Sequence, residues 1–182
     1  MTPRSTQPPE EAAPPLLRVG LGDDRHRLAP LAPAGDGRPL RLGGVVLESP
    51  VGPVSRSDGD ALLHALTDAV LGAAGLEDIG QLFPDSDVRN EGRDSADFLR
   101  EALQRAQARG WRLVCADTVV RLQQPRLSPH KQRIRQRLAE LLGLPLDCVN
   151  VKGKSGEGVG PVGLGQAVEA QAVVLLTREA HA

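Results

Sequence analysis

The chain has 182 residues, enough for one domain with a sizeable core and too few for two ordinary ones. Its 22 Lys and Arg nearly balance 23 Asp and Glu, which argues against a general electrostatic attraction to nucleic acid or to an anionic membrane surface. Aromatics are essentially Phe83, Phe98 and Trp111, too few for a base-stacking platform, so a bound nucleotide would have to be recognised by backbone and polar groups.

Residues 1–16, within MTPRSTQPPEEAAPPLL, carry prolines and acids and no apolar h-region, and read as a disordered Pro-rich leader ahead of a single domain at 17–182. LLRVGLG reads as a short strand, LAPLAPAGDG as a loop, and RPLRLGGVVLES as a second strand interrupted by a Gly pair. Over 58–75 the apolar residues Leu62, Leu63, Leu66, Ala69, Val70 and Ala73 fall on one helical arc, with Ser57 or Asp58 as the cap and Gly75 as the stop. EDIGQLFPDSDVRNEGRDS is a long polar loop expected to be mobile.

A second helix is expected from about Asp94 to Arg109, followed by a strand at WRLVCADTVVRL, the loop QQPRLSP and a basic helix at HKQRIRQRLAELLG. The chain then reads as a strand at CVNVKG, a Gly-rich loop, and an interior strand at AVEAQAVVLLT. This order gives an α/β (α+β) domain, a mixed sheet with helices packed on one face. No segment approaches the roughly 18 apolar residues of a membrane span. Cys115 and Cys148 form neither a C-x-x-C pair nor a disulfide framework, so a soluble protein of the reducing cytoplasm is expected.

Two Gly-rich matches mislead. GVGPVG at 158–163 fits G-x-G-x-x-G but precedes a strand rather than a helix, and GKS at 153–155 has Cys148 where a P-loop needs its first glycine. The loop with Lys154 and Ser155 still offers backbone N–H groups for phosphate. More informative is GDDRH, where Asp24 and His26, two apart on a strand, share one side of the backbone and could share a cation. Zinc suits these donors, with His64 as third ligand and one position left open. Asp60 and Asp68, one turn to either side of His64, are expected to orient its imidazole or neighbouring substrate groups; a solvated helix face is the plainer reading of the same stripe. Glu157 could hold a hard cation.

RVGLGDDRH, then SDGDALLHALTDAVLGAAGLEDIGQLFPDSD, then the closing strand and Gly-rich loop resemble the 2-C-methyl-D-erythritol 2,4-cyclodiphosphate synthase family, in a divergent member, from about residue 17 to the end. The resemblance implies a homotrimer with active sites between subunits, acting in non-mevalonate isoprenoid (terpenoid) biosynthesis as a phosphorus–oxygen lyase. Its substrate would be 4-diphosphocytidyl-2-C-methyl-D-erythritol 2-phosphate, whose own 2-phosphate attacks the β-phosphorus as CMP leaves. It further implies Asp24, His26 and His64 as ligands of zinc or another divalent transition metal, and Glu157 as a ligand of magnesium or manganese. Asp78, Ile79 and Gly80 would take the ribose, Phe83 to Asp87 (with Asp85) the erythritol, and Pro125, Arg126 and Leu127, within the loop Leu122 to Ser128, the cytosine. Ser57 would anchor the reacting phosphate. A non-catalytic or repurposed trimer binding a phosphorylated metabolite or cytidine nucleotide is the alternative.

Several positions depart from the family pattern. Arg56 stands for a histidine and Arg126 for a lysine, and KSGE replaces Thr-Thr-Thr-Glu, leaving Lys154 to contribute charge and Ser155 a hydroxyl; Arg56 and Ser155 are expected to stabilise the transition state. Leu164, Gln166 and Asp23 replace residues of a central cavity that holds an isoprenoid diphosphate in some members, so that ligand is expected to be lost or altered.

Overall fold

The computed structural model describes residues 17–84 and 86–178, so the leader expected at 1–16 and the candidate Asp85 lie outside the described residues. A five-stranded mixed sheet has the order β4-β1-β7-β5-β6, built from β1 (Leu17–Pro30), β4 (Val51–Pro53), β5 (Arg112–Arg121), β6 (Val149–Lys154) and β7 (Ala167–Thr177). β1 and β5 both run antiparallel to β7, while β5 and β6 are parallel. Along β7, Val168, Ala170, Ala172, Val174 and Leu176 are buried at every second position, the period that puts one sheet face under helices. Those helices are α1 (Ala61–Ala73), α3 (Ser95–Ala108) and α4 (Lys131–Leu142).

β1 extends well beyond the short strand expected at LLRVGLG, because it pairs with β7 from Leu17 to Arg27 and with β4 from Leu28 to Pro30. Its backbone groups therefore have partners well past the Gly-rich start, and Asp24 and His26 lie within the strand. The expected second strand is instead a hairpin of β2 (Arg41–Leu42) and β3 (Val45–Val46). Gly43 and Gly44 have φ of 61° and 77°, the left-handed pair that a tight two-residue turn requires.

α1 is the interior helix. Leu62, Leu63 and Leu66 are fully buried, each contributing roughly 1.5–3 kcal/mol by burial, and nearly every other position is buried too. It starts at Asp60 rather than at Ser57 or Asp58: the Asp60 carboxylate accepts the Leu63 N–H at 3.1 Å as a helix cap. Its seat on β1 is set by glycine, since a Cβ on Gly22 would stand 1.9 Å from the Ala65 carbonyl oxygen and one on Gly20 1.9 Å from that of Ala69. Gly20, Gly22, Asp24 and His26 share one face of β1, so the close approach that the glycines permit brings α1, and with it His64, over Asp24 and His26.

Among its described residues, the long polar segment holds more regular structure than a loop. It contains the short helix α2 (Ile79–Leu82) and a 3₁₀ turn at Val88–Asn90, capped by Asp78 and Asp87 respectively. A last short helix, α5 (Gly160–Gly163), lies in the Gly-rich loop. No helix among the described residues is long and apolar enough to cross a membrane.

Candidate active site

Asp24 and His26 reach from β1 toward His64 of α1, and their donor atoms meet. His26 Nε2 lies 3.0 Å from Asp24 Oδ2, and His64 Nδ1 lies 3.2 Å from that oxygen and 3.1 Å from His26 Nε2. A tetrahedral zinc with bonds of about 2.0–2.1 Å needs ligand atoms about 3.3 Å apart, so this triangle fits such an ion with little adjustment. The cluster could bind a divalent metal. Burial pushes the Asp24 carboxyl up, but hydrogen bonds and charge from the two histidines outweigh it and hold the group well below its ordinary range. Burial likewise opposes the charged form of His64, and Asp24, with help from Asp60 and Asp58, overcomes this and raises its pKa.

The other nitrogen of His64, Nε2, lies 2.8 Å from Ser95 Oγ and 3.2 Å from Ser57 Oγ. The acids on either side of His64 are both bound by backbone N–H groups. Asp60 is fully buried and accepts the N–H groups of Gly43 and Gly44 at 2.9 and 2.6 Å besides that of Leu63, so it braces the β2–β3 turn against the helix start and reaches His64 only through its charge. Asp68 accepts the Ile79 N–H at 2.7 Å, fastening α2 to α1 rather than touching the imidazole. Burial raises the pKa of both carboxyl groups, against the donors they accept. A sequence pattern cannot show that the partners of this stripe are backbone N–H groups from other segments.

The three metal-site residues line a cavity of about 570 Å³ together with Arg56, Ser57, Ile79, Gly80 and Phe83. Pro84, from the expected segment Phe83 to Asp87, also lines it, while Phe98, Asn90, Ser55 and Val54 complete the wall and carry no motif that marks them in the sequence; Phe98 packs on Phe83 with ring centroids 4.7 Å apart. Arg56 pairs with Glu91 at 3.1 Å, and its buried Nε has no hydrogen-bond partner among the described residues. Asp78 caps α2 through the Gln81 N–H at the edge of this wall. Asp87 is taken up by Arg89, which holds its carboxyl at about 2.

Arg126, Leu127, Lys154, Ser155 and Glu157 line a different cavity of about 490 Å³, which shares no residue with the first. Here the Ser155 hydroxyl donates to Glu157, and Gln123 accepts the Gly156 N–H at 3.0 Å. Pro125 faces a separate groove with Glu48 and His130. Most of the expected site residues thus fall into a metal half or a loop half, while Asp78, Asp87 and Pro125 line neither cavity.

The YgbB family model matches residues 17–177. The 2-C-methyl-D-erythritol 2,4-cyclodiphosphate synthase of Dechloromonas aromatica is 49% identical over 162 residues, 89% of this chain and 98% of its own length. The chain belongs to this cyclodiphosphate synthase family. The synthase of Thermus thermophilus is 50% identical over 160 residues, 88% of this chain and 99% of its own. A solved cyclodiphosphate synthase structure matches at a TM-score of 0.78 and 49% identity, covering 87% of this chain and 99% of that one. Another, in a CDP-bound form, matches at a TM-score of 0.78 and 46% identity with the same coverage. The departures at Arg56 and in the Gly-rich loop therefore sit within a chain that keeps the synthase fold along nearly the whole length of its relatives.

Proposed function

We propose that this member of the synthase family converts 4-diphosphocytidyl-2-C-methyl-D-erythritol 2-phosphate to 2-C-methyl-D-erythritol 2,4-cyclodiphosphate and CMP, as a cytoplasmic homotrimer. The observation that carries this reading is the meeting of Asp24, His26 and His64 inside a cavity that also holds Arg56 and Ser57. In the reaction the substrate's 2-phosphate oxygen forms a bond to the β-phosphorus, and the bond from that phosphorus to the bridging oxygen breaks, so CMP departs with the oxygen. No covalent nucleophile is needed, and catalysis consists of positioning and charge stabilisation; good positioning alone can contribute roughly 7–11 kcal/mol.

Asp24, His26 and His64 would hold zinc, and Glu157 magnesium or manganese. When bound, these cations supply Lewis acidity and positive charge to the diphosphate. Arg56 and Ser57 bind the 2-phosphate: both line the cavity around the candidate metal cluster, and the Arg56 Nε is a donor with no partner among the described residues. Lys154 and Ser155 hold the diphosphate from the loop half, with Ser155 turning from Glu157 to a phosphate oxygen. Asp78, Ile79 and Gly80 take the ribose, Phe83 and the segment to Asp87 take the erythritol, and Pro125, Arg126 and Leu127 enclose the cytosine.

A trimer accounts for the division of the site, since the metal half of one subunit can face the loop half of its neighbour. The sheet face away from the helices supports such an assembly: Leu17, Val19, Leu21 and Val173 are exposed there, an apolar patch of the sort that monomers rarely leave open. The binding-only alternative is not favoured, because relatives at 48–50% identity are themselves synthases. The test is to incubate the purified protein with the diphosphocytidyl substrate, zinc and magnesium and to separate the products. CMP with the cyclic diphosphate supports the reading; CMP with an open-chain diphosphate indicates hydrolysis, and CDP binding without turnover indicates a binding protein.

A further inference from the structure

Two residues that line neither half of the site are built around the far nitrogen of His64. If Nδ1 is to face a metal beside Asp24 and His26, it must offer its lone pair, and the neutral ring then carries its hydrogen on Nε2. That hydrogen needs an acceptor. Ser95 Oγ is 2.8 Å away on a fully buried side chain at the start of α3.

A hydroxyl that accepts from His64 must send its own hydrogen elsewhere, and Ser95 Oγ donates it to the Asp58 carboxylate. The Asp58 carboxylate is in turn fixed by backbone donors: Oδ2 accepts the Ser95 N–H and Oδ1 the Asp60 N–H, each at 3.2 Å. Asp58 donates its own N–H to the Arg93 carbonyl at 3.1 Å. A chain of donors therefore runs one way, from His64 Nε2 through Ser95 Oγ to a carboxylate that cannot easily move. Ser57 Oγ is the rival partner at 3.2 Å, but it opens on the cavity and also accepts the Gly59 N–H. It is free to turn to substrate only if Ser95 keeps the ring.

We propose that Asp58 and Ser95 are positioning residues that, through this hydrogen-bond chain, hold His64 in the Nε2–H tautomer with Nδ1 aimed at the metal position. The proposal rests on His64 being a metal ligand. Neither residue reaches the substrate cavity, so their contribution is to metal affinity and ring orientation rather than to contact with reacting atoms. Metal-bound histidines characteristically donate their second N–H to a carboxylate or carbonyl, and loss of that partner typically weakens metal binding about 10- to 100-fold. Here a serine spans the gap between imidazole and acid.

The test measures zinc affinity by chelator competition on metal-stripped protein, for the native chain, Ser95→Ala, Asp58→Asn and His64→Ala. Nitrogen-15 spectra of the imidazoles report the tautomer, and the melting temperature of the metal-free form reports folding. The expected results are zinc binding weaker by about 10- to 100-fold in Ser95→Ala, a smaller loss in Asp58→Asn, and a double variant no weaker than Ser95→Ala, because the two act in series. The Nε2-bound hydrogen of His64, slow to exchange in the native protein, should exchange fast in Ser95→Ala. Unchanged zinc affinity and exchange in Ser95→Ala, with binding lost in His64→Ala, would overturn the proposal and leave the metal site standing. Full zinc binding by His64→Ala would instead remove the metal assignment itself. Should Ser95→Ala not fold, the volume-conserving Asp58→Asn decides: unchanged affinity and exchange overturn the chain, and a loss supports it.

Discussion

The carboxylate of Asp68 accepts the backbone N–H of Ile79 at 2.7 Å, one helical turn after His64, and so fixes one wall of the cavity to the helix that carries His64. Substrate pocket and metal position are coupled through this one acceptor. Asp68→Ala should raise KM about tenfold with zinc content unchanged, since a hydrogen bond to a charged group is worth roughly 1.5–3 kcal/mol. Steady-state kinetics alongside metal analysis checks this; loss of zinc would show that Asp68 acts on the ligand rather than on the wall.

The coupling of Asp24 to His64 predicts a pH window for the metal-free protein. Asp24 has its pKa depressed in the fold, so its contribution is present above the ordinary 3.8 and is lost as pH falls through the lower folded value. His64 has its pKa raised, so its contribution is complete below the ordinary 6.5 and is lost as pH rises through the folded value. The metal-free protein should be most stable between about pH 4 and 6.5, and Asp24→Asn should abolish that maximum. Zinc binding must displace the His64 proton, so calorimetry in buffers of different ionisation enthalpy should show proton release at about pH 6 that fades at higher pH.

Arg56 and Glu91 differ in what they should cost. Arg56 lines the cavity, and Arg56→Ala should lower kcat by about 100-fold through loss of a charged phosphate donor. Glu91 is 61% exposed on its side chain, and exposed pairs contribute about 0–1 kcal/mol, so Glu91→Gln should change KM by less than about fivefold. Arg56→His, the residue that the family resemblance implies at this position, should keep substantial turnover. Equal losses in Arg56→Ala and Glu91→Gln would mean that the pair, not the guanidinium, matters.

Two glycines separate packing from propensity. Gly22→Ala drives a Cβ against the Ala65 backbone, so α1 must shift off β1; melting should fall by the equivalent of about 1–3 kcal/mol or more, and zinc affinity should fall with it. Gly72→Ala, in the same helix with open space around it, should raise stability by about 0.4–1 kcal/mol and leave zinc binding alone. Thermal melts and zinc titrations of both variants provide the check.

Much of this architecture is legible in the sequence because it rests on local periodicity. The alternation over β5 and β7 and the apolar spacing of α1, α3 and α4 translate directly into elements. Asp24, His26 and His64 are legible as a set because strand spacing places two of them on one side and the polar stripe of the apolar helix offers the third, a set that the resemblance also implies. What escapes are contacts between distant segments. Asp60 is bound by N–H groups of a hairpin 16 and 17 residues earlier, and Ser95 lies 31 residues from the imidazole it touches, with no pattern to announce either. The value of Gly20 and Gly22 is also hidden, because a glycine in a strand reads as a weakness until the helix lying on it is seen.

If metal held by Asp24, His26 and His64 is what enables the cyclisation, turnover must follow zinc. Phosphorus-31 NMR of the substrate with chelator-stripped protein in magnesium, followed by stepwise addition of zinc, reads this directly. The expected course is no turnover before zinc, then CMP and cyclic diphosphate appearing in equal amounts, the rate rising until zinc matches chain in number, with His64→Ala silent throughout. Full turnover in the stripped protein, or equal turnover by His64→Ala, would contradict it.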